Sequence, residues 1–265
     1  MKNLNLLALS LCLCILIGCS KEKEETHIFI LMGQSNMAGY GELLPKDTIP
    51  VDKVFLIPTK AKEPYIWQAA AHPLHNRLTS DRFGLGLPFA KAYLRKHPNV
   101  TIKLIPAAWG GAAIDDLNRG TDTYNDAIKK ALFAQNKGEI KGVLWHQGES
   151  DTVTEELANT YETKLHQLIN DIRTDLNLAE LPFVVGNLAE FYGTGKDHNS
   201  TERVKKINQV KNALKNLPSK VKYTGFAESS DCKSIDQHMV HFDRESYIIL
   251  GKRYAQEMDN VLNTK

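Results

Sequence analysis

The stretch HIFILMGQSNMAGYGEL, residues 27–43, decides how this chain is interpreted. Its first six residues form an apolar run rich in Ile, Leu and Phe, which is typical of a strand buried on both faces of a sheet. The run breaks at Gly33 into a segment of glycines, amides and one serine, Ser35. Two interpretations follow: Ser35 belongs to an ordinary turn, or the end of a strand displays it for chemistry.

Short apolar runs recur along the chain, separated by helical patterns: TIKLIPAA (101–108), GVLWH (142–146), PFVVGNLA (182–189) and the candidate VKYTGF (221–226). Apolar residues recur every three or four positions in 155–176, 201–217 and 247–261, as one buried helix face requires. Strands that alternate with helices predict a parallel sheet covered on both faces. We therefore expect one three-layer α/β/α domain with a central parallel sheet.

The first 19 residues have the layout of a secretory signal, with one Lys near the start followed by an apolar core. The apolar run from Leu6 to Ile17 is short for a membrane-spanning helix, which disfavours that alternative. The ending LIGC resembles the lipobox of bacterial lipoproteins, in which the cysteine is lipidated after cleavage. An ordinary cleaved signal is the remaining alternative.

The lipoprotein resemblance implies three segments: a signal peptide at 1–18, a lipidated tether at 19–26 and an enzyme domain at 27–265. It implies a membrane anchor on Cys19 and a place in the bacterial cell envelope, at the outer membrane because Ser20 follows the cysteine. Several acyl chains on one cysteine would give stable anchoring.

Charge and cysteine content exclude several classes of protein. The chain carries 33 basic and 31 acidic residues, so its net charge of +2 gives no reason to expect nucleic acid as a partner. Cys12 and Cys14 lie in the predicted signal and Cys19 is the predicted lipid site, which leaves Cys232. We therefore expect neither an internal disulfide nor a cysteine-based metal site.

Three other segments contain residues suited to catalysis, two of them directly after predicted strands. The segments are WGGAAID after 101–108, QGESD after 142–146, and DQHMVHFD (236–243) before the last helix. Ligands of parallel sheets bind beyond the carboxyl ends of the strands, so these segments should meet near Ser35. Together they provide a serine, a histidine base, glycine N–H groups and a side-chain amide, which are the components of nucleophilic acyl transfer.

These blocks resemble the SGNH hydrolase superfamily, specifically its sialate O-acetylesterase and acetyl xylan esterase group, carbohydrate esterase family 6. The matching blocks are MGQSNMAG, WGG, WHQGESD and HFD…LGKRYA. An α/β-hydrolase is disfavoured because its Gly-x-Ser-x-Gly elbow is absent. The resemblance implies a flavodoxin-like fold and a serine esterase that removes O-acetyl groups from glycans such as acetylated xylan or sialic acid. Alternatives are an esterase or lipase for other esters, and an inactive glycan-binding lipoprotein.

Carried over by position, the resemblance makes Ser35 the nucleophile and His241 the general base. The oxyanion hole would consist of the N–H groups of Ser35 and Gly111 with the side-chain amide of Gln147. No cofactor or metal is implied, since the His-x-x-His pair of His238 and His241 has no evident third ligand.

The sequence offers two candidates for the acidic partner of His241. Many relatives have an aspartate three residues before the histidine, and this chain has His238 there. We favour Glu149 as the acid, with Asp236 as the alternative and a backbone carbonyl as a further acceptor that would fix the imidazole tautomer.

Aromatic and basic residues near these blocks have two interpretations each. Trp109 and Trp145 form either a wall for sugar stacking or part of the core. Arg77 and Arg82, in the segment 72–91 that is predicted to shape the cleft, contact a substrate or remain solvated.

Overall fold

The computed structural model describes residues 25–264, so the predicted signal peptide and Cys19 lie outside the described residues. The strands are β1 (Glu25–Gly33), β2 (Val54–Leu56), β3 (Gln68–Ala69), β4 (Val100–Ala108), β5 (Glu139–His146), β6 (Phe183–Gly186) and β7 (Thr224–Ala227). The helices are α1 (Ser35–Ala38), α2 (Gly86–Lys96), α3 (Asp122–Gln135), α4 (Glu155–Asp175), α5 (Thr201–Lys220) and α6 (Arg244–Leu262). Short 3-10 turns lie at Pro45–Thr48, Ile114–Asp116 and Ser150–Thr152.

The strands form one sheet in the order β3-β2-β4-β1-β5-β6-β7, with β1 at its centre. All pairs are parallel except β2 with β3. β1 is paired on both sides, as in Ile30 with Ile105 of β4 and with Val143 of β5. Residues 28–32 are apolar without alternation because β1 lies at the centre of the sheet, where both of its faces are buried.

Helices cover both faces of the sheet. Phe29 packs against the rings of Phe89 and Tyr93 in α2, with centroid distances of 4.8 and 5.0 Å. Trp145 of β5, in register with Met32 on the other face, donates from Nε1 to the hydroxyl of Tyr161 in α4 at 3.3 Å. Because side chains alternate along a strand, α2 and α4 lie in different layers, and the predicted α/β architecture with its mostly parallel sheet is confirmed.

The structure follows the predicted pattern closely for the long elements and adds several that the pattern missed. The five apolar runs and three periodic segments coincide with β1, β4 to β7, α4, α5 and α6. β1 begins at Glu25, inside the predicted tether, because Glu25 and Thr26 pair with the start of β4. β2 and β3 are too short to carry a periodic signal.

α2 begins inside the segment 72–91 that was predicted as a cleft loop. Its sequence starts Gly86-Leu87-Pro88, which suggests a loop, but a proline fits the first helical turn because no backbone N–H is needed there. Among the described residues, no helix is both long enough and apolar enough to cross a membrane.

Candidate active site

The carboxyl end of β1 meets that of β5 at a close backbone contact. Gly33 has a φ of 143°, and a Cβ placed there would lie 2.1 Å from the carbonyl oxygen of His146. That oxygen accepts a hydrogen bond from Gln34 N at 3.0 Å. Only glycine permits this approach, and the contact sets the point from which Ser35 is presented.

Ser35 is the first residue of α1 and is only 5% exposed. An N–H group in the first turn of a helix has no helical acceptor, and within residues 25–264 the N–H of Ser35 has no hydrogen-bond partner. The N–H of Gly111 has none there either. Gly111 has a φ of 78°, and a Cβ there would meet nothing within 4 Å, so its backbone is open to a ligand.

His241 lies against Ser35, although 206 positions separate the two residues in the sequence. Its Nε2 is 3.0 Å from Oγ of Ser35, which is hydrogen-bond distance. The imidazole stacks on the ring of Tyr40 with centroids 3.8 Å apart. Burial lowers the pKa of His241 to about 4, while the charge of Asp236 opposes this shift. The imidazole is therefore neutral near pH 7 and able to accept a proton.

Asn36 connects the loop of His241 to Glu149. Its Nδ2 donates to Oε1 of Glu149 at 2.6 Å and to the carbonyl of Val240 at 3.0 Å. Its Oδ1 accepts from the N–H of Phe242 at 3.4 Å. The residues on either side of His241 are thus held by one buried amide.

Glu149 is buried, with Asn36 as its side-chain partner rather than His241. Burial raises the pKa of the Glu149 carboxyl to about 7, and the bond from Asn36 works against this rise. Hydrogen bonding from an amide favours the charged form, so the carboxyl is held near the midpoint of its titration at neutral pH.

Asp236, the alternative acid, lies on the exposed part of the loop. Its Oδ1 accepts from the N–H of His238 at 2.9 Å. Within residues 25–264 no carboxylate is hydrogen-bonded to His241, and Asp236 acts on it only through its charge. The sequence predicts a direct hydrogen bond between one of these carboxylates and the imidazole of His241. In the structure Glu149 is instead bonded to Asn36, and Asp236 acts on His241 only through its charge.

Gln147 lies fully buried beneath the site. Its Nε2 donates to Oε1 of Gln34 and to the carbonyl of Ala112, both at 3.1 Å, and to Asp151. Asp151 also accepts from the N–H of Ile114 at 3.0 Å. An amide has two N–H groups, and internal acceptors already occupy them. In this arrangement Gln147 links the loops that follow β1, β4 and β5. To donate to an oxyanion, as the sequence predicts, its amide would first have to give up one of these hydrogen bonds.

Trp109 and Trp145 differ in their exposure to solvent. Trp145 is fully buried in the core, whereas Trp109 is 44% exposed. The guanidinium of Arg77 lies 4.5 Å from the centroid of the Trp109 ring. Arg82 is exposed.

Sequence reasoning missed the amides that organise the site. Gln34 and Asn36 flank Ser35 in the motif, and each links α1 to another loop. Two amides around a serine were the available signal, since buried amides must be hydrogen-bonded. The stacking of Tyr40 on His241 had no sequence signal.

Comparison with known proteins places the chain among carbohydrate esterases. A family model described as carbohydrate esterase, sialic acid-specific acetylesterase, matches residues 25–260. A probable carbohydrate esterase from Arabidopsis thaliana is 34% identical over 177 residues, which span 59% of this chain and 66% of that protein, a little under two thirds.

Solved structures share the fold. The crystal structure of the same Arabidopsis protein superposes with a TM-score of 0.75 at 29% identity, covering 88% of this chain and 98% of that one. NanS gives a TM-score of 0.67 at 16% identity, covering 91% and 99%. A carbohydrate acetylesterase from Xanthomonas citri gives 0.63 at 22%, covering 90% of this chain and 57% of that one.

Proposed function

The chain belongs to the carbohydrate esterase family of sialic acid-specific acetylesterases, and from that premise we propose that it is a serine esterase that removes O-acetyl groups from glycans. The observation that carries the proposal is the distance of 3.0 Å between His241 Nε2 and Ser35 Oγ at the carboxyl edge of the sheet. A hydroxyl and a neutral imidazole at this distance form an activated nucleophile.

The proposed reaction has two halves. Ser35 Oγ attacks the acetyl carbonyl carbon while Nε2 of His241 takes the hydroxyl proton. The tetrahedral oxyanion lies against the N–H groups of Ser35 and Gly111, which have no partner within residues 25–264. The imidazolium then protonates the departing sugar oxygen, leaving an acetyl-serine. Water attacks this ester with His241 again as base, and acetate departs from a restored Ser35.

His241 needs its Nε2 unprotonated, so the proton of the neutral ring must be on Nδ1. We propose that Asn36 and Glu149 hold the loop that positions this ring, and that Asp236 supplies the negative charge that favours the imidazolium. The proposed positioning role of Asn36 agrees with its hydrogen bonds to both neighbours of His241. The proposed role of Asp236 agrees with its effect on the pKa of His241.

The direct test is acetate release from acetylated xylan, O-acetylated sialic acid and 4-nitrophenyl acetate. We expect Ser35→Ala to lower kcat by at least about 10³-fold, since removing the nucleophile of such a site leaves only binding and the oxyanion donors. Ser219→Ala, on the exposed end of α5, is the matched control. Undiminished activity of a folded Ser35→Ala protein would overturn the proposal.

Acyl-chain length separates the carbohydrate acetylesterase from an esterase for other esters. An acetyl-specific site should lose most of its activity on butanoyl and longer esters of the same alcohol. Glycan binding without turnover of any ester would instead support the inactive lipoprotein that the sequence leaves open.

We also propose that Cys19 carries lipid and anchors the domain to the bacterial envelope. The lipobox-like ending LIGC supports this proposal. Labelled palmitate should be incorporated by the whole chain in bacteria and not by Cys19→Ala, and equal labelling of both would refute it.

A further inference from the structure

A pocket of about 430 Å³ opens beside Ser35. Its lining residues are Trp109, Gly110, Gly111, Ala112, Asp115, Asp116, Thr121, Asp122 and Thr123. A Cβ added to Gly110 would lie 4.0 Å from Cβ of Ser35, so one of the lining residues is a neighbour of Ser35. An ester bound at Ser35 therefore has this space available for its alcohol portion, and the volume suits a small ligand such as a monosaccharide.

Trp109 provides an exposed aromatic surface in this pocket. Trp145 is fully buried and Trp67 is partly buried, whereas Trp109 is 44% exposed. Arg77 covers part of the ring, with its guanidinium carbon 4.5 Å from the centroid, and donates to Oγ1 of Thr123 at 3.2 Å. The indole is thus held in place from one side while a large part of its surface stays open to a ligand.

The charged side chains that line the pocket are all carboxylates, although two cations contact the lining residues from outside. Three carboxylates line it, those of Asp115, Asp116 and Asp122, and no lysine or arginine does. Asp115 is paired with Lys164 at 2.7 Å, and Arg77 lies against the indole outside the lining. The carboxylates of Asp116 and Asp122 have no ion-pair partner within residues 25–264, and that of Asp116 accepts a hydrogen bond from the N–H of Ala113 at 2.9 Å. A negatively charged ligand group would therefore enter against an unfavourable field.

We propose that this pocket is the subsite for the sugar that carries the acetyl group, and that it selects sugars without a negative charge. The sugar ring stacks on Trp109, and a carboxylate on that ring is repelled by the aspartates. This inference rests on the proposed function. It differs from what the family's description suggests, because the carboxylate of sialic acid has the charge that the pocket disfavours.

The sharpest experiment changes the charge of one substrate and nothing else. Acetate release is measured for O-acetylated sialic acid and for the methyl ester of the same sugar, whose carboxylate is masked. We expect kcat/KM to be about fivefold higher for the methyl ester at low salt, and the difference to shrink at about 1 M salt because ions screen exposed charges. Equal values, or a preference for the free acid, would overturn the inference.

Asp122 tests the origin of the selection, since its exposed side chain lines the pocket without an ion-pair partner among the described residues. Asp122→Asn should reduce the preference for the methyl ester by about half or more. Asp52→Asn, at an exposed turn away from this pocket, is the matched control and should leave the preference unchanged. An unaltered preference in Asp122→Asn would contradict the role of the aspartates.

Binding is tested without turnover in a Ser35→Ala background. Calorimetry with acetylated xylotetraose should show affinity about tenfold lower after Trp109→Ala and largely restored by Trp109→Phe, which keeps an aromatic face. Binding that depends on Trp109 in a protein whose wild type releases no acetate would support the subsite and refute the esterase. Acetate release with no dependence of binding on Trp109 would support the esterase and refute the subsite.

Discussion

The two sides of Ser35 are built in contrasting ways. On the side of His241, the buried amide of Asn36 bonds to a carboxylate and to the backbone on either side of the histidine. On the side of Trp109, an exposed indole faces a pocket with carboxylates and open glycine backbone. The proposed chemistry needs a fixed distance and is supported by buried hydrogen bonds, whereas the proposed recognition of the alcohol group uses exposed surface that can change without disturbing Ser35.

In this comparison the largest effect is expected from a substitution of Asn36, on the side of His241. Asn36→Ala removes the bonds to Val240 and Phe242 and leaves Glu149 without its amide donor. We expect kcat to fall by about 10²-fold or more, because a small displacement of His241, the proposed general base, is costly. The free energy of unfolding should fall by about 2–3 kcal/mol, since buried partners lose their hydrogen bonds. Steady-state kinetics and chemical denaturation measure the two effects.

The matched control, Asn118→Ala, replaces an asparagine on the side of Trp109. Asn118 donates to the exposed Asp115 at 3.4 Å, so its loss leaves no buried group unpaired. Asn118→Ala should keep kcat within about twofold and stability within about 0.5 kcal/mol. Similar losses in both variants would remove the distinction between the two sides.

The second prediction uses the titration of Glu149. Its pKa of about 7 in the fold exceeds the ordinary value of 4.5, so the folded protein binds the proton more tightly than the unfolded chain. The stabilisation that comes from protonated Glu149 is complete below pH 4.5 and is lost as pH rises through 7. This loss lowers the free energy of unfolding by up to about 3 kcal/mol. Glu149→Gln should abolish this loss, so denaturation at pH 5 and pH 8 should differ less in the variant.

Asp151 also makes the free energy of unfolding fall as pH rises, by a smaller amount, because burial raises the pKa of its carboxyl to about 6. Glu149→Gln should therefore leave part of the pH dependence between 5 and 7. An unchanged difference between pH 5 and pH 8 would show that Glu149 is ionised in the fold without cost.

The smallest expected effect concerns Asp236. Its charge raises the pKa of His241 against the lowering by burial, so Asp236→Asn should lower that pKa further. The acidic limb of the kcat/KM profile should therefore move to lower pH. Activity at pH 7 should fall by only about threefold to tenfold, since the carboxylate is exposed and screened. A loss as large as that of Asn36→Ala would make Asp236 the direct partner of His241 during catalysis.

Periodicity predicted the sheet because β1, β4 and β5 are buried on both faces, and a run of apolar residues reports such burial directly. The meeting of Ser35 and His241 followed from topology, since the ends of parallel strands gather at one edge. Spacing along the chain does not reveal which acceptor an amide chooses. The bonds of Asn36 and Gln147 were therefore missed, as was the burial of Trp145 beside the exposure of Trp109.

The sequence separation between Ser35 and His241, 206 positions, has a consequence for how the protein is made. Asn36 likewise contacts Val240 across 204 positions, so none of these bonds exists until nearly the whole chain has emerged. Contacts between such distant residues form late and slow the search for the native state. A nascent or truncated chain that ends before His241 would contain Ser35 without its proposed base, so we expect esterase activity to appear only once folding is complete.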